Sequence, residues 1–302
     1  MSENVNKHAY LIIAHNQFEL LRMLLKLLDD KRHDFYIHID KSVQDFDFDD
    51  IRKCVTQSEI TFVDRHNITW GGFSQIQSEM TLLKAATKNK YSYYHLLSGV
   101  DMPLKTADEI YNFFEQNSGY QFIHFNDDEF TLNPRIQQRV RVYHPTQERF
   151  GRKSKLMVLF DRCLSELQCI LKIDRWKNNG LEFKSGYNWF SITHEIAEYI
   201  ASSEDLVNRY FKSSICADEV FLQTLVFNKF GDSLKLYKSE LGSDCRTCAR
   251  YIDWKRGSPY VFRNSDFDEM INSGCMFARK LDLNVDKEIC YRIYDYLKKS
   301  QA

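Results

Sequence analysis

The chain has 302 residues, 43% of them hydrophobic and 14% aromatic, which is enough to bury a core of ordinary density in one large α/β domain or two small ones and excludes disorder. Lys and Arg number 41 against 42 Asp and Glu, a formal net charge of -1, so no global field draws the protein to nucleic acid or an anionic membrane, and any anion site must be local. The N-terminal run MSENVNKHAYLIIAH holds only a few consecutive apolar residues, short of the roughly 20 that span a bilayer, and has no signal-peptide cleavage pattern; a cytoplasmic location is the expectation.

Five runs are predicted as strands: AYLIIAH (Ala9 to His15), DFYIHID (Asp34 to Asp40), EITFV (Glu59 to Val63), YSYYHLLS (Tyr91 to Ser98) and YQFIHF (Tyr120 to Phe125). Between them Phe18, Leu21, Leu25 and Leu28 mark one helical face, and Ile76, Met80 and Leu83 mark another. Ser74 with Gln77, and Thr106 with Glu109, read as capping boxes. This alternation predicts parallel strands joined by crossover helices. In the second half, a basic stretch from Arg135 to Lys155 runs into a helix-like segment ending near Lys172, and strands and helices mix from Phe183 onward. With no Pro-rich or Ser-rich linker, repeat or low-complexity segment, the expectation is one domain over 1–302, with a nucleotide-binding half (1–126) and an irregular acceptor and catalytic half (127–302).

The eight cysteines are spread through a long chain and are expected to be free thiols. Cys245-Arg-Thr-Cys248 has zinc or redox spacing, but no second CxxC and no HxxxH completes a tetrahedral site, so the pair reads as incidental.

In an open parallel sheet ligands bind beyond the carboxyl ends of the strands. Here the first strand is followed by His15 and Asn16, and the second ends in Asp40, Lys41 and Ser42. The third leads into Thr69-Trp70-Gly71-Gly72-Phe73-Ser74, and the fourth into Ser98-Gly99-Val100-Asp101. Singly, Asp40 and Asp101 are the kind of residue that shapes a turn. Together with the glycines and Trp70 they predict a cleft on one rim.

Four ordered blocks in the first half (AYLIIAHNQFELLRMLLKLL, FYIHIDKS, TWGGFSQIQSEMTLLKAA, YYHLLSGVDMPLKT) and four in the second (SGYNWFSITHEIAEYI, ADEVFLQTLVFN, RYIDW, FARKLD) carry a family resemblance. Together they resemble the core-2/I-branching N-acetylglucosaminyltransferases and peptide O-xylosyltransferases, glycosyltransferase family 14. Asp127 to Leu181 is the least similar segment. The resemblance implies an α/β fold of the GT-A nucleotide-sugar-binding type, with a mainly parallel sheet. It also implies an inverting, metal-independent transfer of a sugar, N-acetylglucosamine first among the donors, from a UDP-sugar to a hydroxyl of a glycan acceptor. The family's eukaryotic members are membrane-anchored, lumenal and disulfide-bonded. Lacking an anchor and stem, this sequence is more similar to soluble bacterial relatives that build surface polysaccharides, with peripheral association to a lipid-linked acceptor allowed and no nucleic-acid partner.

Such a transfer needs a nucleotide pocket, a cationic group for the leaving diphosphate and a carboxylate to take the acceptor proton. Metal-dependent relatives of this fold use Asp-x-Asp at a strand end, whereas the fourth strand here ends with one Asp, Asp101. Asp45-Phe46-Asp47 and Asp47-Phe48-Asp49 precede a helical pattern and read as acids at a helix N-terminus. No metal is therefore expected, and the resemblance gives the cationic role to Arg279 and Lys280, with Arg250 as a further candidate. It points to Ala14, His15 and Asn16 for the ribose or base and to Asp40 for the uracil edge, with Ser98 and Asp101 on the same rim. Trp70 and Trp189 are candidate sugar platforms, core packing being the equal alternative for Trp189. Glu219 is the expected general base, with Asp218 as the N-cap that orients it on the helix opened by Val220. Two other readings of the same residues are a glycan-binding protein without turnover and a sugar-nucleotide hydrolase.

Overall fold

The computed structural model describes residues 6–177, 180–238 and 245–301. Strand β1 (His8–Ala14) is buried almost throughout, and its alternate residues serve two cores. Tyr10 and Ile12 pack with Leu21, Leu24, Leu25 and Leu28 of α1 (Phe18–Leu28). Ala9 and Leu11 face the other way, onto Ile76, Met80 and Leu83 of α3 (Phe73–Ala86). A strand covered on both faces reads as a continuous apolar run, which is why these strands stand out in the sequence.

The chain continues through β2 (His33–Ile39), α2 (Phe48–Arg52), β3 (Glu59–Phe62), α3 (Phe73–Ala86), β4 (Tyr93–Ser98) and the short β5 (Met102–Pro103). After α4 (Ala107–Gln116) and β6 (Phe122–Ile123) it enters a helical stretch of α5 (Asp128–Thr131), α6 (Pro134–Arg141), α7 (Gln147–Phe150) and α8 (Lys155–Ile170). It returns to the sheet as β7 (Phe190–Thr193), then forms α9 (His194–Ser202), α10 (Glu204–Phe211), a single 3-10 turn (Ala217–Glu219) and α11 (Phe221–Phe230). The last part contains β8 (Arg250–Ile252), α12 (Phe267–Ile271), β9 (Phe277–Arg279) and α13 (Lys287–Gln301).

The main sheet has the order β3-β2-β1-β4-β7-β6. Strands β1 to β4 run parallel, while β7 lies antiparallel to β4 and β6 antiparallel to β7. The expected α/β class with a mainly parallel sheet and a mixed C-terminal half is thus observed. Register brings Ala14 beside Ile39 and Ile13 beside Ser98, so the carboxyl ends of β1, β2 and β4 lie level. A second sheet, β5-β9-β8, packs with α13 in a third core built on Met102, Tyr251, Ala278 and Ile293. It delivers Arg279 to the rim.

Thr106 and Glu109 form the expected capping box: Glu109 N–H donates to Thr106 Oγ1 (3.2 Å) and Thr106 N–H to Glu109 Oε2 (2.8 Å). Asp47 caps α2, accepting from Asp50 N–H at 2.9 Å, as its place before that helix predicts. The box expected of Ser74 and Gln77 is not formed. Helix α3 starts two residues earlier, with Gly72 at the cap; Ser74 Oγ accepts from Thr69 N–H (2.9 Å), and Glu148 of α7 takes the Ser74 N–H (3.0 Å). A distant carboxylate does there what a local hydroxyl was expected to do. All eight cysteines are free. Among the described residues no helix is long and apolar enough to cross a membrane.

Candidate active site

A cleft of about 460 Å³ opens beyond the carboxyl ends of β1 and β4. Its first wall is Ala14, His15 and Asn16 after β1, with Ser98, Gly99 and Val100 after β4. Gly99 is required there by close approach, since a Cβ at this position would stand 2.8 Å from that of Ala14. Burial first holds the exposed-rim His15 below its ordinary imidazole value; Asp40 opposes this, while Lys280 and Arg279 add to it, so both basic residues act on the end of β1.

The cationic wall is Arg279 at the end of β9. Its Nη1 donates to Asp101 Oδ1 at 2.8 Å and to Ser98 Oγ, and the guanidinium stacks 4.3 Å from the ring centroid of Trp189. Asp101 Oδ2 accepts from Ser98 N–H at 2.8 Å, so this carboxylate ties the end of β4 to Arg279. The fork is therefore aimed before any anion arrives, with the Arg279 side chain 20% exposed.

The opposite wall carries acids. Glu79 of α3 is fully buried at the cleft floor, and neither of its oxygens makes a hydrogen bond of normal geometry, although the Asn188 amide is close. Burial, with the charge of Asp218 beside it, raises this carboxyl well above the usual range. Asp218 accepts from Gln75 Nε2 at 3.3 Å through Oδ2, and its Oδ1 is shut off from solvent without a partner. Burial and the adjacent Glu219 push Asp218 up to about 7. Glu219 is partly exposed and ion-paired through Oε2 with Arg139 Nη1 of α6 at 2.6 Å. Aromatic rings frame the mouth: Trp70, half exposed under Arg152 (3.3 Å to the ring centroid), and Trp254 stacked on Tyr187.

The cleft thus gathers Ala14, His15, Asn16, Trp70, Ser98, Trp189, Glu219 and Arg279 of the residues singled out in the sequence. Asp101 stands behind Arg279, and Lys280 follows it without lining the cleft. Asp40 lies beneath the rim, 7% exposed, its oxygens accepting from the backbone N–H groups of Ser42 (2.8 Å) and Ile68 (3.2 Å). Arg250 must be corrected. It is 1% exposed and spent on the core, donating to Leu96 O (3.0 Å), Phe190 O (2.8 Å), Ser191 Oγ (2.9 Å) and Cys248 O, which keeps it from a phosphate in the cleft. Asp218 is likewise no N-cap of α11. It sits on the separate 3-10 turn, the cap position belongs to Val220, and no side chain caps that helix. Arg139, not a helix dipole, holds Glu219.

Residues 8–270 match the description of the core-2/I-branching enzymes. The chain belongs to this family, glycosyltransferase family 14. Among similar curated proteins, xylosyltransferase sqv-6 of Caenorhabditis briggsae is 27% identical over 313 residues, covering 95% of this chain and 37% of its own. Xylosyltransferase 1 of Rattus norvegicus is 26% identical over 325 residues (98% and 36%), and xylosyltransferase 2 of Homo sapiens 22% over 300 (93% and 32%). The chain spans about a third of the length of these relatives. The apo crystal structure of mouse xyloside xylosyltransferase 1 aligns over 91% of this chain and 97% of its own, with 10% identity and a TM-score of 0.39, a likeness too distant to bear on the argument.

Within this family member, sequence reasoning passed over Glu79, Gln75, Asn188, Tyr187, Trp254 and Arg139. One signal was present: Gln75 and Glu79 are four residues apart on a helix whose core face is Ile76, Met80 and Leu83, just after the Gly71-Gly72 turn. Arg139 was indistinguishable from its basic neighbours.

Proposed function

We propose that the cleft transfers a sugar, with inversion and without a metal, from a UDP-sugar to a hydroxyl of a glycan acceptor. The observation that carries this reading is one cleft with a pre-aimed guanidinium, Arg279, on one wall and a solvent-reachable carboxylate, Glu219, among the acids of the other. The uridine lies along Ala14 to Asn16, with Asp40 behind it, and the diphosphate meets Arg279 with Lys280 alongside. Trp70 and Trp254 offer flat faces to pyranose rings. Glu219 takes the acceptor proton while the hydroxyl attacks the anomeric carbon opposite the leaving UDP; Arg139 occupies Oε2 and leaves Oε1 for that proton. Arg279 meets the charge that develops on the diphosphate as the bond breaks. Support for metal independence comes from Asp101, the acid at the end of β4, which is already committed to Arg279 and Ser98.

N-acetylglucosamine is the proposed donor sugar. Xylose is the second reading, favoured by curated relatives that are named xylosyltransferases. UDP release against a panel of UDP-sugars, with and without EDTA, tests the proposal. The expected result is one preferred donor and turnover unchanged by EDTA; activity abolished by EDTA and restored by Mn²⁺ would overturn metal independence, and a donor consumed only to free sugar would make the protein a hydrolase.

A further inference from the structure

Helix α8 is amphipathic the wrong way round for a globular surface. Its polar residues Asp161, Ser165 and Gln168 face the protein. Asp161 binds His144 Nδ1 (2.6 Å) and Thr146 Oγ1 (2.9 Å), and Gln168 exchanges hydrogen bonds with Tyr143 N–H (2.8 Å) and O (2.9 Å). These inward bonds fix the roll of the helix. The opposite face carries Leu156, Leu159, Phe160, Leu167 and Ile170, between 50% and 76% exposed, and Leu171 just beyond extends the stripe. Their spacing repeats at three, four and seven residues, so they form one row about 21 Å long at 1.5 Å per residue. Scattered exposed leucines need no explanation, but a contiguous row held outward by buried hydrogen bonds does.

The border of the row is basic. Arg149, Arg152, Lys153, Lys155, Arg162 and Lys172 are all exposed, in a chain whose formal net charge is -1. Of the acids on α8, Asp161 is buried against His144, which leaves Glu166 exposed; Asp174 beyond the helix is paired with Arg141. An outward apolar row with cationic flanks matches a helix lying in the interface of an anionic bilayer, its side chains among the acyl chains and its Lys and Arg at the headgroups. A second copy of the chain fits less well, because a two-fold contact along this row would bring the two basic borders together.

We propose that the outer face of α8 docks on an anionic lipid bilayer. The patch adjoins the cleft through Arg152, which covers Trp70, so docking turns the Trp70 edge of the cleft toward the lipid surface. That edge then receives an acceptor glycan carried on lipid; this last step rests on the transfer reading of the cleft, and the docking does not.

Flotation of the full chain with vesicles of phosphatidylglycerol and phosphatidylcholine, against phosphatidylcholine alone, tests the docking. The expected result is binding to the anionic vesicles that weakens with salt. The double substitution Leu159→Asp with Phe160→Asp should reduce the bound fraction about tenfold or more while circular dichroism and UDP binding stay parental. Lys153→Glu with Lys155→Glu should remove the preference for anionic lipid. A parent that floats with neither vesicle, an aspartate variant that floats like the parent, or a parental dimer that the aspartate pair dissociates would each overturn the proposal; none of these outcomes depends on whether the cleft transfers sugar.

Discussion

Asp218 and Arg250 were misread for the same reason: the partners that fix their roles are remote in sequence. Arg250 follows Cys248 by two residues and looks like a rim cation, yet acceptors from Leu96, Phe190 and Ser191 draw it into the core. Asp218 precedes an apolar helical run and looks like a cap, yet the chain turns through left-handed Cys216 (φ 48°) and Val220 before α11 begins. Instead Asp218 becomes a proton store. Its ordinary value is 3.8 and burial beside Glu219 raises it to about 7, so over that window the folded protein keeps a proton that the unfolded chain has lost. Its stabilising contribution is full below the unfolded value and is lost as pH rises through the folded one. The melting temperature of the parent should therefore fall more between about pH 5 and pH 8 than that of Asp218→Asn, because the substitution removes this proton linkage and, with it, the charge that helps hold Glu79 protonated. Parallel pH profiles for the two proteins would count against the shift.

Among elements, β1, β2 and β4 were legible because both faces are buried and an apolar run long enough to see results, whereas the edge strand β3 showed itself by alternation, with Ile60 and Phe62 half-buried between exposed Glu59 and Thr61. Strand β5, two residues long, has too little periodicity to declare itself, while the predicted strand over Tyr120 to Phe125 is present as β6 but shrinks to Phe122–Ile123, because Tyr120 lies exposed and Gln121 instead bridges Leu236. The two capping boxes separate in the same way. Thr106 and Glu109 meet at the start of α4 with no competitor, whereas Ser74 has Thr69 and Glu148 as alternatives. Thr106→Ala should cost about 1 kcal/mol in chemical denaturation, the usual worth of a cap. Ser74→Ala removes no cap from α3. A Thr106 variant as stable as the parent would show the box to be ornamental.

On the scale of the whole molecule, level strand ends and a second small sheet bring together groups that are distant in sequence. The β1 and β4 ends supply one wall, β9 supplies Arg279, α3 supplies Glu79, and the 3-10 turn supplies Glu219. The strand-end half of this site was readable, since parallel strands announce where a ligand binds. The floor was not, because Glu79 occupies a helical position whose burial depends on Asn188 and Asp218 arriving from elsewhere. The central claim, that Glu219 takes the acceptor proton in this cleft, is tested most directly by comparing Glu219→Gln with the parent for transfer rate at saturating donor, alongside UDP affinity. The account predicts parental UDP affinity with kcat lower by roughly 10²-fold or more, the scale for loss of a positioned base; near-parental kcat in a folded variant would contradict it.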